Sequence, residues 1–372
     1  MEILHLIDSF DARFDRDQIK LVESLEKRGY DNTVITSRYS SDWRFIKKTE
    51  FESWEKRFSR TEIIHAPSLR VPTPFSNMPA HVYLPSKRIL RNFDIIHAYT
   101  FATYSSFLGA ASKIVKKSKV IMRSDLSPAT YYKAKNAPFY RTMLTYPFKI
   151  ADGVYTFSIL EKRYFANLGV NENKIRVIPV GIDHKKFSKA TTTNEDKHVS
   201  IGYVGRLCPQ KGVHITTASL QKILREEKNA SVTFIGAIED TNYANEVLAS
   251  LQKYGNFKYL GYMSNVLPFY KMCNIILVPS VSETGAITVL EAMASGKAVI
   301  ASNINPIKEY IQHERTGFLF NDKKEVYLYL KKLIENPNLI KEIGRRARKE
   351  AAKYDWNLII RRYEEMYRSV IK

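Results

Sequence analysis

Residues 279–296 read PSVSETGAITVLEAMASG. The apolar run at 275–278 just before them has the length and composition of a buried strand. From about Ala286 the apolar residues recur at helical spacing through Ile287, Leu290 and Ala294. The stretch therefore reads as strand, loop and helix, the repeating unit of a doubly wound parallel sheet. Two glutamates, Glu283 and Glu291, stand in it with seven residues between them. Glu283 falls in the loop and Glu291 about a turn and a half into the helix. A helix entrance after a buried strand offers unpaired backbone N–H groups and a positive dipole end, which suit a phosphate. Carboxylates beside such a site repel phosphate and are better suited to accept hydrogen bonds from hydroxyl groups of the same ligand. A diphosphate between two hydroxyl-rich rings fits that arrangement, and a nucleotide-sugar is such a ligand.

Strand and helix signals alternate along the whole chain. Short apolar runs stand at 3–7, 33–36, 62–66, 95–98, 120–122, 154–157 and 175–178, and again at 199–204, 231–235, 257–260, 275–278, 298–301 and 317–320. Helix-period segments such as 17–27 and 105–115 lie between several of them. This implies an α/β protein of βαβ units, and 372 residues suffice for two doubly wound (Rossmann-like) domains. The polar segment 188–198, SKATTTNEDKH, carries no hydrophobic period and marks the boundary. The expected domains are 1–190 and 196–354. Segment 356–371 is an amphipathic helix with one stripe of Ile359, Ile360, Tyr363, Met366, Tyr367 and Val370.

Two further blocks accompany the glutamate pair. Residues 201–212 read IGYVGRLCPQKG: a strand, then Gly205-Arg206, then Lys211 at the start of the next helix. Residues 177–187 read VIPVGIDHKKF. Together, in this order, the three blocks resemble the retaining glycosyltransferases of family 4, which have the GT-B fold. The resemblance is good over 150–372 and loose before that. It implies two Rossmann-like domains facing a cleft, with residues 355–372 crossing back to the first. The first domain would serve the acceptor and the second a nucleotide-sugar donor, UDP- or GDP-linked, with no permanently bound cofactor and no metal. It further implies a retaining hexosyltransferase acting on a glycan or lipid-linked acceptor.

Arg206 and Lys211 lie where an open α/β sheet binds ligands, at strand carboxyl ends. Gly205 permits close backbone approach to a phosphate. A forked guanidinium and a mobile ammonium together neutralise a departing diphosphate. By the resemblance, Glu283 faces the sugar and Glu291 the ribose. Thr288, near the helix entrance, offers a backbone or hydroxyl contact to phosphate. The residues after Glu283 depart from the family pattern, with Thr284 ahead of Gly285 and Ala286. The acceptor side is marked only by Ser124 and Asp125 in VIMRSDL, Ser124 standing where the family has His. Asp125 fits an orienting or basic carboxylate and equally a turn cap. The first strand is followed by Ser9-Phe10-Asp11-Ala12, without the family's glycines. Asp15-Arg16-Asp17 spells an Asp-x-Asp metal signature, but it opens a helix, where acids serve as cap and dipole partners. His97 ends a strand and reads as structural.

Two cysteines, Cys208 and Cys273, exclude a disulfide framework and fit a reducing, cytoplasmic setting. The start, MEILHLID, reads as a first strand and not as a signal peptide. The 18-residue uncharged run 95–112 carries polar residues throughout and reads as a strand and helix rather than a membrane span. The net charge is +20, and residues 51–149 hold 16 Lys/Arg against 5 Asp/Glu. Such a balance attracts polyanions or an anionic membrane surface and equally fits a solvated surface. In 128–149, six aromatic residues alternate loosely with Lys133, Lys135, Arg141 and Lys149 and no acid. That pattern suits a lipid interface on the inner membrane face, a nucleic-acid groove, or core rings with solvated cations. A non-catalytic nucleic-acid or polyanion-binding protein is the alternative from another class, although no RNA-binding, zinc-finger or helix-turn-helix signature is present. A nucleotide-sugar epimerase of similar fold is the enzymatic alternative.

Overall fold

The computed structural model describes residues 1–12, 17–39, 45, 47–71, 80–83, 91–101, 103–115, 118–190 and 198–371. The chain divides into two compact units, Met1–Val180 with Trp356–Lys372, and Gly181–Asp355. The first unit ends ahead of the expected residue 190, because Ile182, Phe187 and Ala190 are buried in the core of the second. Most of the expected linker, 191–197, lies outside the described residues.

The first unit is built on β1 (Glu2–Ile7), β2 (Asp31–Thr36), β3 (Glu62–His65), β4 (Ser68–Val71), β5 (Ala80–Tyr83), β6 (Ile95–Ala98), β7 (Lys119–Arg123), β8 (Gly153–Thr156) and β9 (Ile175–Val177). Seven of these form a parallel sheet in the order β3-β2-β1-β6-β7-β8-β9. β4 and β5 make a separate antiparallel hairpin that the sequence reading missed. Side chains of β1 alternate between two cores: Leu4 and Leu6 enter one, Ile3 and Ile7 the other. The second core also receives Ile359, Ile360, Tyr363, Met366 and Tyr367 of the helix Trp356–Ile371, five of the six expected stripe residues. Polar contacts fix this helix as well. The ring of buried His97 meets the hydroxyls of Tyr367 (2.8 Å) and Tyr155 (3.2 Å). Arg28 and Tyr30 both donate to Glu364. Burial, with His5 and Arg123 nearby, holds the His97 imidazole well below its ordinary range, so it stays neutral. The structural reading of His97 agrees with this geometry.

The second unit contains β10 (Val199–Val204), β11 (Ala230–Ile235), β12 (Phe257–Tyr259), β13 (Ile275–Val278), β14 (Ala298–Ser302) and β15 (Phe318–Phe320), all parallel, in the order β12-β11-β10-β13-β14-β15. Every residue of β13 is buried, with Ile275 and Leu277 on one face and Ile276 and Val278 on the other. A strand covered on both faces needs a continuous apolar run, which is why this one is conspicuous in the sequence. The strand order reverses between β10 and β13. Crevices at the carboxyl ends of such strands are where open α/β sheets hold ligands.

Candidate functional site

The reversal point of the second sheet gathers most of the expected donor-side residues. β10 runs out into Gly205 and Arg206, and β13 into Pro279 and Ser280. Lys211 closes a 3-10 turn, Pro209–Lys211, and is not itself in the following helix, Val213–Glu226. The turn and the loop after β13 are tied together. Val281 N donates to the Gln210 carbonyl at 2.9 Å, and Gln210 Nε2 to the Ser282 carbonyl at 3.2 Å. Gly212 makes this approach possible: its φ is +65°, and a Cβ there would stand 2.0 Å from the Pro279 carbonyl oxygen. The turn thereby brings Lys211 Nζ to 2.7 Å from Glu283 Oε1, which also accepts from Ser280 Oγ at 2.7 Å. Both side chains of the ion pair are largely sheltered, 20% and 11% exposed.

Arg206 lies on the same edge but pairs with Glu239, an exposed acid beyond β11. Its carbonyl accepts from the Tyr203 hydroxyl at 2.7 Å. Gly205 and the backbone after β11 are in close contact: a Cβ at Gly236 would lie 1.8 Å from the Gly205 carbonyl oxygen. The two cations are thus held by different acids. Glu283, expected to face a sugar, here accepts from Lys211 and Ser280.

The helix with the second glutamate runs Ile287–Ala294, and no side chain caps its amino end. Its N-cap is Ala286 at φ 45° and ψ 45°. A left-handed alanine is disfavoured by about 1–2 kcal/mol, and this one is buried. Thr288 lies in the first turn, half-buried. Glu291 accepts from the hydroxyl of fully buried Tyr270 at 3.1 Å. Burial pushes its carboxyl up from 4.5 to about 7, against the opposing pull of the Tyr270 hydrogen bond and the charge of Lys186. Of the expected residues, then, Lys211 and Glu283 touch, Gly205 and Arg206 share the sheet edge with them, and Thr288 and Glu291 sit on the neighbouring helix.

The acceptor-side expectation fares differently within the first unit. Ser124 is fully buried and donates its hydroxyl to Glu161. The same carboxylate accepts from Leu126 N at 2.7 Å and Phe157 N at 2.8 Å. Ser124 is therefore a partner in loop architecture, and its side chain is not presented to a ligand in this unit. Asp125 is half-buried and pairs with Arg123 at 2.8 Å, while Arg123 also pairs with Asp17 at 2.7 Å. Asp17 thus opens its helix as an ion-pair partner; Asp15 and Arg16 lie outside the described residues. Among the described residues no group of three or more His, Cys, Asp or Glu is placed to hold a metal.

Burial, then the charge of Asp125, pushes the Glu161 carboxyl up from 4.5 to about 7. The sign follows: with its folded value raised, ionising Glu161 weakens the fold as pH rises from 4.5 to about 7. Glu161→Ala leaves two backbone N–H groups and a serine hydroxyl without their acceptor. The expected loss is about 3 kcal/mol in urea unfolding at neutral pH. A loss below about 0.5 kcal/mol would contradict the structural role given to this carboxylate.

Sequence reading missed Glu239, Ser280 and Tyr270. Ser280 was open to detection, as it stands two residues past a strand and three before Glu283. Glu239 and Tyr270 come from other segments of the chain, and no local pattern announces them.

Comparison with known proteins agrees with this architecture. The family described as Glycosyl transferases group 1 matches residues 183–350, and Glycosyltransferase Family 4 matches residues 19–186. The chain is 30% identical over 241 residues to the N,N'-diacetylbacillosaminyl-diphospho-undecaprenol alpha-1,3-N-acetylgalactosaminyltransferase of Campylobacter jejuni, covering 60% of this chain and 62% of that protein. It is 28% identical over 165 residues to the UDP-Gal:alpha-D-GlcNAc-diphosphoundecaprenol alpha-1,3-galactosyltransferase of Escherichia coli, covering 41% and 42%. The chain therefore spans less than two thirds of either relative. Anabaena HepE, solved in complex with UDP and glucose, superposes with a TM-score of 0.74 at 18% identity over 99% of this chain and 100% of that one. At that identity the likeness concerns the fold.

Proposed function

We propose a donor, an acceptor class and a mechanism for this chain, which belongs to the glycosyltransferases of group 1 and family 4 and has the GT-B fold. The donor is a UDP-hexose and the acceptor a glycan on a polyprenyl diphosphate. The transfer retains the anomeric configuration and uses no metal. One observation carries the reading: Lys211, Arg206 and an uncapped helix entrance lie together at the reversal point of the second sheet. The relatives whose names specify undecaprenyl diphosphate acceptors, one of them with UDP-Gal as donor, support the choice of substrates.

In this mechanism the arriving diphosphate replaces Glu283 as the partner of Lys211. The freed Glu283 carboxylate then accepts from hexose hydroxyls, and Glu291 from the ribose. The bond between the anomeric carbon and the diphosphate oxygen breaks, and its electron pair leaves with the phosphate. Lys211, Arg206 and the N–H groups around Thr288 stabilise that charge, which takes the electrostatic place a metal ion fills elsewhere. The acceptor oxygen bonds to the same face the diphosphate leaves, so configuration is kept, and its proton passes to the departing phosphate. No carboxylate nucleophile is needed, since both glutamates serve as hydroxyl acceptors.

Titration calorimetry with UDP, GDP, ADP and their hexose conjugates tests the donor, and transfer to a polyprenyl-diphosphate sugar tests the acceptor. UDP-hexose is expected to bind more tightly than the other two series. Its affinity should rise as pH climbs through about 7, because the ionised Glu291 is the stronger acceptor for ribose hydroxyls. Glu291→Gln should flatten that profile. Equal affinity for all three nucleotides, or a profile unchanged in the Gln variant, would discard the donor reading.

A further inference from the structure

We propose that two consecutive helices of the first unit, Pro128–Lys135 and Pro138–Ile150, form a docking surface for an anionic lipid bilayer. This goes beyond the donor chemistry and does not rest on it. In the sequence the aromatic and basic residues of 128–149 fit a core as well as an interface, and the structure separates them. Tyr131, Leu144 and Phe148 face inward and belong to the core beneath the sheet. Tyr132, Phe139, Met143 and Tyr146 face outward. Phe139 is 76% exposed and Tyr132 56%. Phe139, Met143 and Tyr146 stand at i, i+4 and i+7, so they share one side of their helix. The helix Tyr104–Val115, which packs against this one, ends in two more exposed apolar residues, Ile114 and Val115. Scattered exposed apolar side chains are ordinary, but a run on consecutive helices marks an interaction surface.

The charge around these residues selects the partner. Lys133, Lys135, Arg141 and Lys149 are exposed on the same two helices, and neither helix contains an acid. Residues 95–151 hold nine Lys/Arg and one acid, Asp125, which is engaged by Arg123. Rings and a thioether outward, on helices whose only charged side chains are cations, is the composition that seats a helix at the headgroup boundary of an anionic leaflet. No described helix is long and apolar enough to cross a membrane.

Co-sedimentation of the full chain with vesicles tests the proposal. Binding is expected to vesicles of phosphatidylglycerol mixed with phosphatidylcholine, and to be weak on phosphatidylcholine alone. Substituting Phe139, Met143 and Tyr146 together by Ser should lower the affinity by roughly a hundredfold. Replacing Lys133, Lys135, Arg141 and Lys149 by Gln should lower it about fivefold per cation and remove its salt dependence. Leu328→Ser, at an exposed position of the second unit, serves as the control. Melting curves and UDP titrations of each variant should match the parent, which separates loss of docking from loss of fold or of donor binding. Undiminished vesicle binding by the triple Ser variant overturns the proposal, as does equal binding to phosphatidylcholine alone. Tight binding to duplex DNA that depends on the four cations and ignores the apolar substitutions overturns it in favour of a nucleic-acid partner.

Discussion

Lys211→Ala is expected to lower the transfer rate from UDP-hexose at least about a hundredfold, while the protein remains folded. A single preorganised donor aimed at developing charge is worth roughly 3 kcal/mol in a sheltered site. Lys211 is sheltered, and its place is fixed by the Pro209–Lys211 turn and the loop after β13. Its ammonium is also a mobile point charge on a long stem, able to leave Glu283 for a phosphate oxygen. The variant leaves Glu283 with Ser280 as a remaining donor, so stability should fall by only about 1–2 kcal/mol. Lys211→Arg keeps the charge with a different donor geometry and should recover part of the rate. Steady-state kinetics beside a urea titration distinguishes lost catalysis from lost fold. Near-parental turnover in a folded Lys211→Ala protein would remove the central element of the mechanism.

Gly212→Ala should be nearly as damaging through the backbone alone. The residue combines a left-handed φ with a contact that leaves no room for a methyl group, 2.0 Å from the Pro279 carbonyl oxygen. The backbone cost of a left-handed alanine is about 1–2 kcal/mol. Relieving the clash means moving the Pro209–Lys211 turn away from the loop that carries Glu283, at a further cost of about 1–3 kcal/mol. The expected outcome is a stability loss of about 3 kcal/mol and at least a tenfold weaker affinity for UDP. Gly255→Ala is the matched control, since a Cβ there meets nothing within 4 Å. If Gly212→Ala melts and binds UDP like the control, the close approach of turn and loop has no bearing on the site.

The sheets were legible because parallel strands buried on both faces need uninterrupted apolar runs. β13 and β10 begin and end where the sequence pattern places them. The hairpin of β4 and β5 was not legible, since a run such as Ser68–Val71 is short and mixed in polarity. The expected donor-side residues stand out in the sequence because each lies within a few residues of a strand end or a helix start. Ser124 could be named for the same reason, yet its hydroxyl points to Glu161, thirty-seven residues further along the chain.

Local order of side chains along the chain therefore determined the α/β class, the strand runs, the amphipathic terminal helix and the loops at the strand carboxyl ends. These depend on periods of two and 3.6 residues and on turn chemistry, all short-range properties. Only the tertiary structure decided that Lys211 is held by Glu283 and Arg206 by Glu239, that Tyr270 supports Glu291, and which rings of 128–149 face outward. Each of those facts depends on which strands become neighbours and on how closely two loops approach. Strand order and backbone clearance arise from packing over the whole domain, so a window of sequence does not contain them.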